Sequence, residues 1–300
     1  MLKHVDAFKH WTATQQLQHG VSLKSLNTWH IGGTAEYFFR PTGVEDLSHF
    51  LACWAEHTEN KPVHFLGLGS NLLIPDAGVE GVVVATPKGL TALKQLSDGL
   101  IYAEAGVPCA KLAKFCVKLG LNGGFFAGIP GTVGGALVMN AGAFGGETWQ
   151  HVVRVDQISV TGQLCYRERQ DCQPTYRKVS GLLPGWITGG YFKFEAMESK
   201  DAQQTIKNLL AKRQQTQPIG TFNCGSVFMN PPNQYAAQLI EAAGLKGKQV
   251  GGAMVSPKHA NFIINVDNAS AEDVLNLVAL IQATVQTQTG ILLQPEFKVW

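Results

Sequence analysis

Between Lys118 and Glu147 the chain carries no charged residue for 28 positions, and ten of those positions are glycine. An uncharged run of that length meets the length rule for a bilayer-spanning helix, but the glycines, Pro130 and Asn140 interrupt the apolar pattern, so a membrane span is excluded. The densest part, "AGIPGTVGGALVMNAGAFGG" at 127–146, holds seven glycines in twenty residues. Glycine loses more conformational freedom on folding than any other residue, so such a run must be offset by letting backbone approach something closely. Two arrangements do this. Gly128, Gly131, Gly134, Gly135 and Gly142 can present a row of unobstructed backbone N–H groups, which binds a diphosphate without Lys or Arg, with Pro130 stiffening its start. Alternatively, the same glycines form a close-packed joint between strands or helices. The segment alone does not choose.

The remaining composition narrows the field. With 300 residues, 45% of them hydrophobic, the chain can bury a sizeable core and is expected to form two domains. Charged residues are only 15%, and 24 Lys+Arg against 22 Asp+Glu leave +2, with no basic run of five or six, so nucleic acid is not an expected partner. "MLKHVDAFKHW" has no apolar core of signal-peptide length, which points to the cytoplasm. The six cysteines show no CxxC spacing and no CxxH partner, so neither a zinc site nor a redox pair is supported; no metal is expected, and the thiols read as buried and free. "NAS" at 268–270 matches a glycosylation acceptor, without meaning in that compartment.

Periodicity predicts mixed elements. Pro108 at a first turn, Leu112, Phe115, Cys116 and Leu119 on one face and Gly120 as a stop describe a short helix. Ser270 with Asp273 forms a capping box, and Val274, Leu277, Val278, Ile281 and Val285 mark a helix face running to Gly290. Weaker helical patterns cover 45–57, 202–213 and 234–243. Strand-like runs are "VHFLGL", "GVVVAT", "IYAEAG", "VVRVDQISV", "YFKFEA", "FIINV" and "FKVW". Because strands and helices mix without steady alternation, an α+β class is expected. No internal repeat of 20–50 residues stands out. The polar stretch at 196–212 reads as a helical linker between domains.

A second glycine motif, "LGLGSNLL" at 66–73, follows a strand. Gly67-x-Gly69 lacks the third glycine of a dinucleotide fingerprint and the acid about 20 residues further on, so a Rossmann site is disfavoured. "GLKGKQ" at 244–249 has neither the spacing nor the Ser/Thr of a Walker A loop. On its own "GLGSN" reads as a tight turn, although its amides with Ser70 and Asn71 suit a phosphate.

In order along the chain, "NTWHIGGTA", "LGLGSNLLIPDAGVEGVVV", "AGIPGTVGGALVMNAGAFGGE", "CGSVFMNP", "LIEAAGLKGKQVGGAMVSPKHANFIIN" and "QPEFKV" resemble the UDP-N-acetylenolpyruvoylglucosamine reductase family from about residue 20 to 300. Length and the short span from 147 to 188 are similar to its compact form, without a tyrosine-bearing insertion. The resemblance implies a flavoenzyme of peptidoglycan precursor synthesis. It has a two-lobed FAD-binding domain of the vanillyl-alcohol-oxidase type, then a smaller α+β substrate domain that closes over a nucleotide sugar. On this chain the first would cover 1–195, with lobes at about 1–85 and 86–195, the linker 196–212 and the second 213–300, with strand 295–300 returning to the first. FAD would be held non-covalently and NADPH would be the co-substrate, visiting the substrate's pocket, so no Rossmann motif is needed. A monomer is expected.

By the same resemblance Arg177 in "PTYRKVS" grips the substrate carboxylate, Ser226 in "CGSVF" gives a proton to carbon, and Glu296 in "QPEFKV" donates to the developing oxyanion. FAD contacts carry over to Gly67, Gly69, Ser70, Asn71, Gly128, Ile129, Gly131, Thr132 and Gly134. Tyr176, Arg213, Asn230, Lys258 and His259 are substrate-side candidates, with a structural histidine at a strand end the favoured reading of His259. Thr216 and Met229 stand where the family usually has basic residues, which puts the phosphate-binding set in question. Two other functions compete: an oxidase of the same flavin fold with His30 as covalent anchor, and a non-enzymatic nucleotide-sugar binder. Intact Arg177, Ser226 and Glu296 argue against the second.

Overall fold

The protein, as a computed structural model, is described for residues 5–59 and 61–300. Its chain divides into two compact units that are discontinuous in sequence. The first takes the described part of Met1–Gly20, Glu36–Leu68 and Glu80–Ala211; the second takes Val21–Ala35, Gly69–Val79 and Lys212–Trp300. Among the described residues the α-helices, in chain order, are α1 Lys9–Ala13, α2 Val44–His57, α3 Cys109–Lys118, α4 Val133–Met139, α5 Ser199–Thr216, α6 Ala236–Ala242 and α7 Ala271–Thr289.

One lobe of the first unit is a four-stranded sheet ordered Leu17–Ser22, Thr34–Phe39, Val79–Ala85, Val63–Leu66. Its last pair runs parallel, Val63 opposite Val82. Helix α2 begins with Glu45 and Asp46, whose charge suits a helix N-terminus, and buries Leu47, Phe50, Leu51 and Trp54. Phe50 stacks on Phe39 with centroids 3.7 Å apart and meets Trp11 edge-on at 5.3 Å. Trp11 in turn donates its indole N–H to Asp46 at 2.7 Å, so the aromatic cluster is tied to the helix start.

The other lobe is a five-stranded antiparallel sheet ordered Leu164–Glu168, Val152–Ile158, Trp186–Phe192, Ile101–Glu104, Leu93–Gln95. One core joins Ile101, Ala103, Val155 and Phe192 of the sheet to Leu112 and Cys116 of α3 and to Val133 and Leu137 of α4. Pro108 is the N-cap of α3, one position before the expected first turn, and the buried face is Cys109, Leu112, Ala113, Cys116 and Val117. Leu119, expected on that face, is 39% exposed, because the helix ends there and Gly120 turns the chain at φ +68°.

The second unit has a four-stranded antiparallel sheet ordered Phe222–Asn223, Ile263–Asn265, Ala253–Val255, Gln249–Val250, packed with α6 and α7. The capping box of α7 is present: Ser270 Oγ accepts from Asp273 N at 3.0 Å, the Asp273 carboxylate accepts from Ser270 N at 3.0 Å, and Gly290 closes the helix at φ +75°. Asp76 adds a further cap, accepting from Ala271 N at 2.9 Å. Trp29 is fully buried in the same core, its indole N–H on the Ile263 carbonyl at 2.9 Å and Phe297 edge-on at 5.2 Å. These contacts explain why 21–35 and 69–79 pack with the C-terminal part. Strand Lys298–Val299 pairs in parallel with Leu72–Leu73. Among the described residues no helix is long and apolar enough to cross a membrane, no group of three or more His, Cys, Asp or Glu is placed to hold a metal, and the cysteines are free thiols.

Candidate active site

Within the first unit, Gly67 of one glycine motif meets Thr132 of the other. A Cβ placed on Gly67 would lie 2.6 Å from Thr132 Oγ1, so the first loop runs directly against the second. Extended backbone at Thr132 bridges the Pro108 region through Cys109 N on the Gly131 carbonyl at 2.9 Å and Val133 N on the Val107 carbonyl at 2.8 Å. Not every amide of the segment is available as a donor. Ile129 N is spent on the Phe126 carbonyl at 3.1 Å and Gly134 N on Ala105 at 2.9 Å. A Cβ on Gly128 would come within 2.3 Å of the Phe144 ring, and one on Gly134 within 2.8 Å of Ala105 Cβ. Close packing therefore explains those two glycines. By contrast, the amides of Gly131, Thr132 and Gly135 donate to no acceptor among the described residues, and a Cβ on Gly135 would meet only Thr132 Oγ1 at 3.9 Å. Packing thus accounts for part of the segment and leaves other amides with donors to give.

Tyr176 and Arg177 form the two-residue turn of a small hairpin, Gln173–Thr175 against Lys178–Ser180, with Thr175 opposite Lys178. Arg177 sits at φ +59°, a left-handed conformation that costs a non-glycine residue energy, and its guanidinium lies 5.3 Å from the Tyr176 ring centroid. Both belong to the first unit, as do Gly67, Gly128, Ile129, Gly131, Thr132 and Gly134.

Ser226 and Glu296 are brought together in the second unit. Phe228 bridges Pro295, Glu296 N donates to the Val227 carbonyl at 2.8 Å, and Met229 N donates to Gln294 at 2.9 Å. Burial pushes the neighbouring Cys224 thiol well above its usual range and the Glu296 charge adds to the shift, which sets that carboxylate close to the same short stretch. Asn71 reaches the pair too: its side-chain amide donates to the Glu296 carbonyl at 3.3 Å and its own carbonyl accepts from Lys298 N at 2.9 Å. Gly69, at φ +62°, and Ser70 lie beside Asn71 in this unit.

Substrate-side candidates behave differently from one another. Arg213 donates through Nε to Gln217 at 3.0 Å, and burial holds its guanidinium below the usual arginine range, the state of a cation that lacks full solvation. Asn230 caps α6, its Oδ1 accepting from Ala236 N at 3.0 Å. Lys258 donates to the Gln214 carbonyl. His259 accepts Asn261 N at 3.3 Å on Nδ1, packs edge-on against Phe262 at 4.7 Å, and is pushed below the usual imidazole range by burial, which fits the structural reading. Thr216 Oγ1 turns back on the Lys212 carbonyl at 2.9 Å.

Residues 217–300 match the family model described as UDP-N-acetylenolpyruvoylglucosamine reductase, C-terminal domain. Residues 35–165 match that of an FAD binding domain. The chain is 46% identical over 297 residues to the UDP-N-acetylenolpyruvoylglucosamine reductase of Coxiella burnetii (strain Dugway 5J108-111), covering 92% of this chain and 93% of the other. Against that of Nitrosococcus oceani (strain ATCC 19707) it is 47% identical over 281 residues, 93% of each. The crystal structure of the reductase from Thermus caldophilus aligns with a TM-score of 0.81 at 31% identity, covering 95% of this chain and 99% of that one.

The chain belongs to the UDP-N-acetylenolpyruvoylglucosamine reductase family.

FAD is the cofactor of this reductase family, and the FAD binding domain match at 35–165 falls mostly on the mixed α and β first unit. The residues present fit the cofactor's diphosphate: Gly131, Thr132 and Gly135 have donors to give, and no charged side chain stands in 119–146. Two further residues escaped the sequence reading. Asn261, 4% exposed, clamps the segment that follows Ser226: Phe228 N reaches its Oδ1 at 2.9 Å and its Nδ2 reaches the Phe228 carbonyl at 2.8 Å. Asn140, 2% exposed, ends α4. A single asparagine has no periodic signature, so only the fold reveals either role.

Proposed function

We propose that this chain reduces UDP-N-acetylglucosamine enolpyruvate to UDP-N-acetylmuramate with NADPH as reductant, as a cytoplasmic monomer serving cell-wall synthesis. The identity of 46–47% with reductases of this name over more than nine-tenths of the chain carries the reading. The pairing of 226–229 with 294–297 supports the roles of Ser226 and Glu296.

FAD, when bound, would supply the two-electron chemistry by which NADPH reduces the enolpyruvyl methylene. The alkene π bond breaks, the methylene becomes a methyl, and charge develops on the adjacent carbon and its carboxylate. Arg177 meets that carboxylate with two parallel charge-assisted hydrogen bonds that strengthen as the enediolate forms. A protonated Glu296 donates to the same oxygens; burial beside the substrate carboxylate is what would keep it protonated. Ser226 gives its hydroxyl proton to the carbon, completing the second C–H bond of the lactyl ether. Gly131, Thr132 and Gly135 hold the diphosphate, joined by Gly67, Gly69, Ser70 and Asn71 of the first loop. Gly128, Ile129 and Gly134 contribute shape, since packing or internal bonds occupy them. Arg213, with its poorly solvated charge, is assigned to the substrate's anionic groups, and Tyr176, Asn230, Lys258 and His259 complete the substrate side. Thr216 and Met229 leave the phosphates to other donors.

The test is anaerobic and optical. NADPH added to the yellow holoprotein bleaches it, and the enolpyruvyl nucleotide sugar then restores the colour. A bleached protein that the nucleotide sugar leaves bleached refutes the proposal.

A further inference from the structure

Asn140 stands at the end of α4 in a left-handed conformation, φ +42° and ψ +50°, and its carboxamide is fully used. Oδ1 accepts Trp149 N at 3.1 Å, while Nδ2 donates to Glu147 Oε2 at 3.0 Å and to the Thr175 carbonyl at 3.2 Å. Flipping the amide would set N–H against N–H and oxygen against two acceptors, so its orientation is fixed. Thr175 is the residue before the Tyr176–Arg177 turn, and Arg177 holds a conformation that a side-chain-bearing residue keeps only when its surroundings impose it. Seven residues earlier the same helix begins beside Thr132 and Gly135, whose amides are assigned to the cofactor diphosphate.

We infer that Asn140 is a positioning residue for Arg177, fixing the turn that carries the arginine to the helix that begins at the cofactor's amides. The inference rests on the catalytic assignment of Arg177 made above. A residue that merely ended α4 would affect stability and both half-reactions alike. One that aims the arginine affects the step in which the substrate carboxylate is gripped.

Asn140→Gly keeps the left-handed backbone and removes the three bonds. In the holoprotein, flavin reduction by NADPH is expected to change by less than about twofold, while reoxidation by the enolpyruvyl nucleotide sugar slows by about 30-fold. In an Arg177→Ala background the same substitution adds less than about twofold, because the residue acts through the arginine. In the flavin-free chain, hydrogen exchange at the Tyr176, Arg177 and Lys178 amides quickens by about tenfold. Equal slowing of both half-reactions, full additivity with Arg177→Ala, or unchanged exchange overturns the inference. Should Asn140→Gly fail to fold, Asn140→Asp replaces it: the new carboxyl donates to Thr175 only when protonated, so reoxidation recovers as pH falls, and a defect insensitive to pH overturns the idea. Slow Arg177→Ala with unimpaired Asn140→Gly sinks this inference alone, whereas rapid reoxidation in Arg177→Ala sinks the assignment on which it stands.

Discussion

Glu296 donates its backbone N–H to the carbonyl of Val227 at 2.8 Å, the residue after Ser226. The 68 residues between them are thereby closed into a loop, so that a proposed acid and a proposed proton donor sit on two paired segments. Main-chain bonds fix that relation, which survives removal of either side chain. Ser226→Ala is accordingly expected to leave NADPH-driven bleaching intact and to slow substrate-driven reoxidation by about 100-fold or more. Glu296→Gln, which can still donate a hydrogen bond, loses less than Glu296→Ala. Stopped-flow absorbance separates the half-reactions, and equal losses for the two Glu296 variants would remove the donor role.

Glycines in one segment should respond oppositely to a single methyl. Gly128→Ala meets the Phe144 ring and is expected to destabilise the fold by about 1–3 kcal/mol. Gly135→Ala points into open space within a helix, so the flavin-free chain gains up to about 1 kcal/mol. The added methyl stands over an amide assigned to the diphosphate, so FAD affinity falls. Denaturant midpoints and flavin titration of the two variants check this; a Gly135→Ala protein that holds FAD normally moves the diphosphate elsewhere.

Arg213 is a half-buried cation whose partial burial already disfavours its charge. If it faces the anionic end of the substrate, Arg213→Gln raises the KM for the nucleotide sugar by about tenfold or more with kcat nearly unchanged, while the KM for NADPH stays put. Steady-state kinetics with each substrate varied in turn distinguish this from a catalytic loss.

Acid sensitivity of the first unit should follow Asp46. Burial works to raise its pKa, but hydrogen bonds from Trp11, Thr42 and Gln16 outweigh it and hold the carboxyl below the usual aspartate range. An unfolded aspartate titrates near about 3.9, so on acidification the unfolded chain takes up the proton first. The stabilisation is complete well above that value and disappears as pH falls through the lower folded pKa. Asp46→Asn therefore costs about 1 kcal/mol at pH 7, discounted for solvent screening, and less as the pH falls through that window. Urea melts between pH 3 and 7 measure the difference, which must shrink toward the acid end.

How legible each part was depends on the range of the interaction that creates it. Ser270, Asp273 and Gly290 announce α7 because a capping box and a left-handed stop are local chemistry, complete within the helix and its flanks. The hairpin bearing Arg177 was not read, since "QPTYRKVS" has no apolar alternation and its turn uses neither glycine nor asparagine at the left-handed position. Arg177, Ser226 and Glu296 were named through family resemblance; their residue types alone read as a surface arginine, a turn serine and an edge-strand acid. The glycine segment was ambiguous in sequence because a glycine that admits a ligand and one that admits a neighbouring ring look identical.

Trp29 donates to Ile263 across 234 residues. During synthesis this indole emerges early and meets its acceptor only after the first unit, which ends at Ala211, has been made. The core of the second unit thus closes late, around a tryptophan left waiting on the nascent chain. A fragment starting at Lys212 would lack that plug, along with Leu73 and the Asp76 cap, and excising it as a free-standing module for binding work would leave its core open.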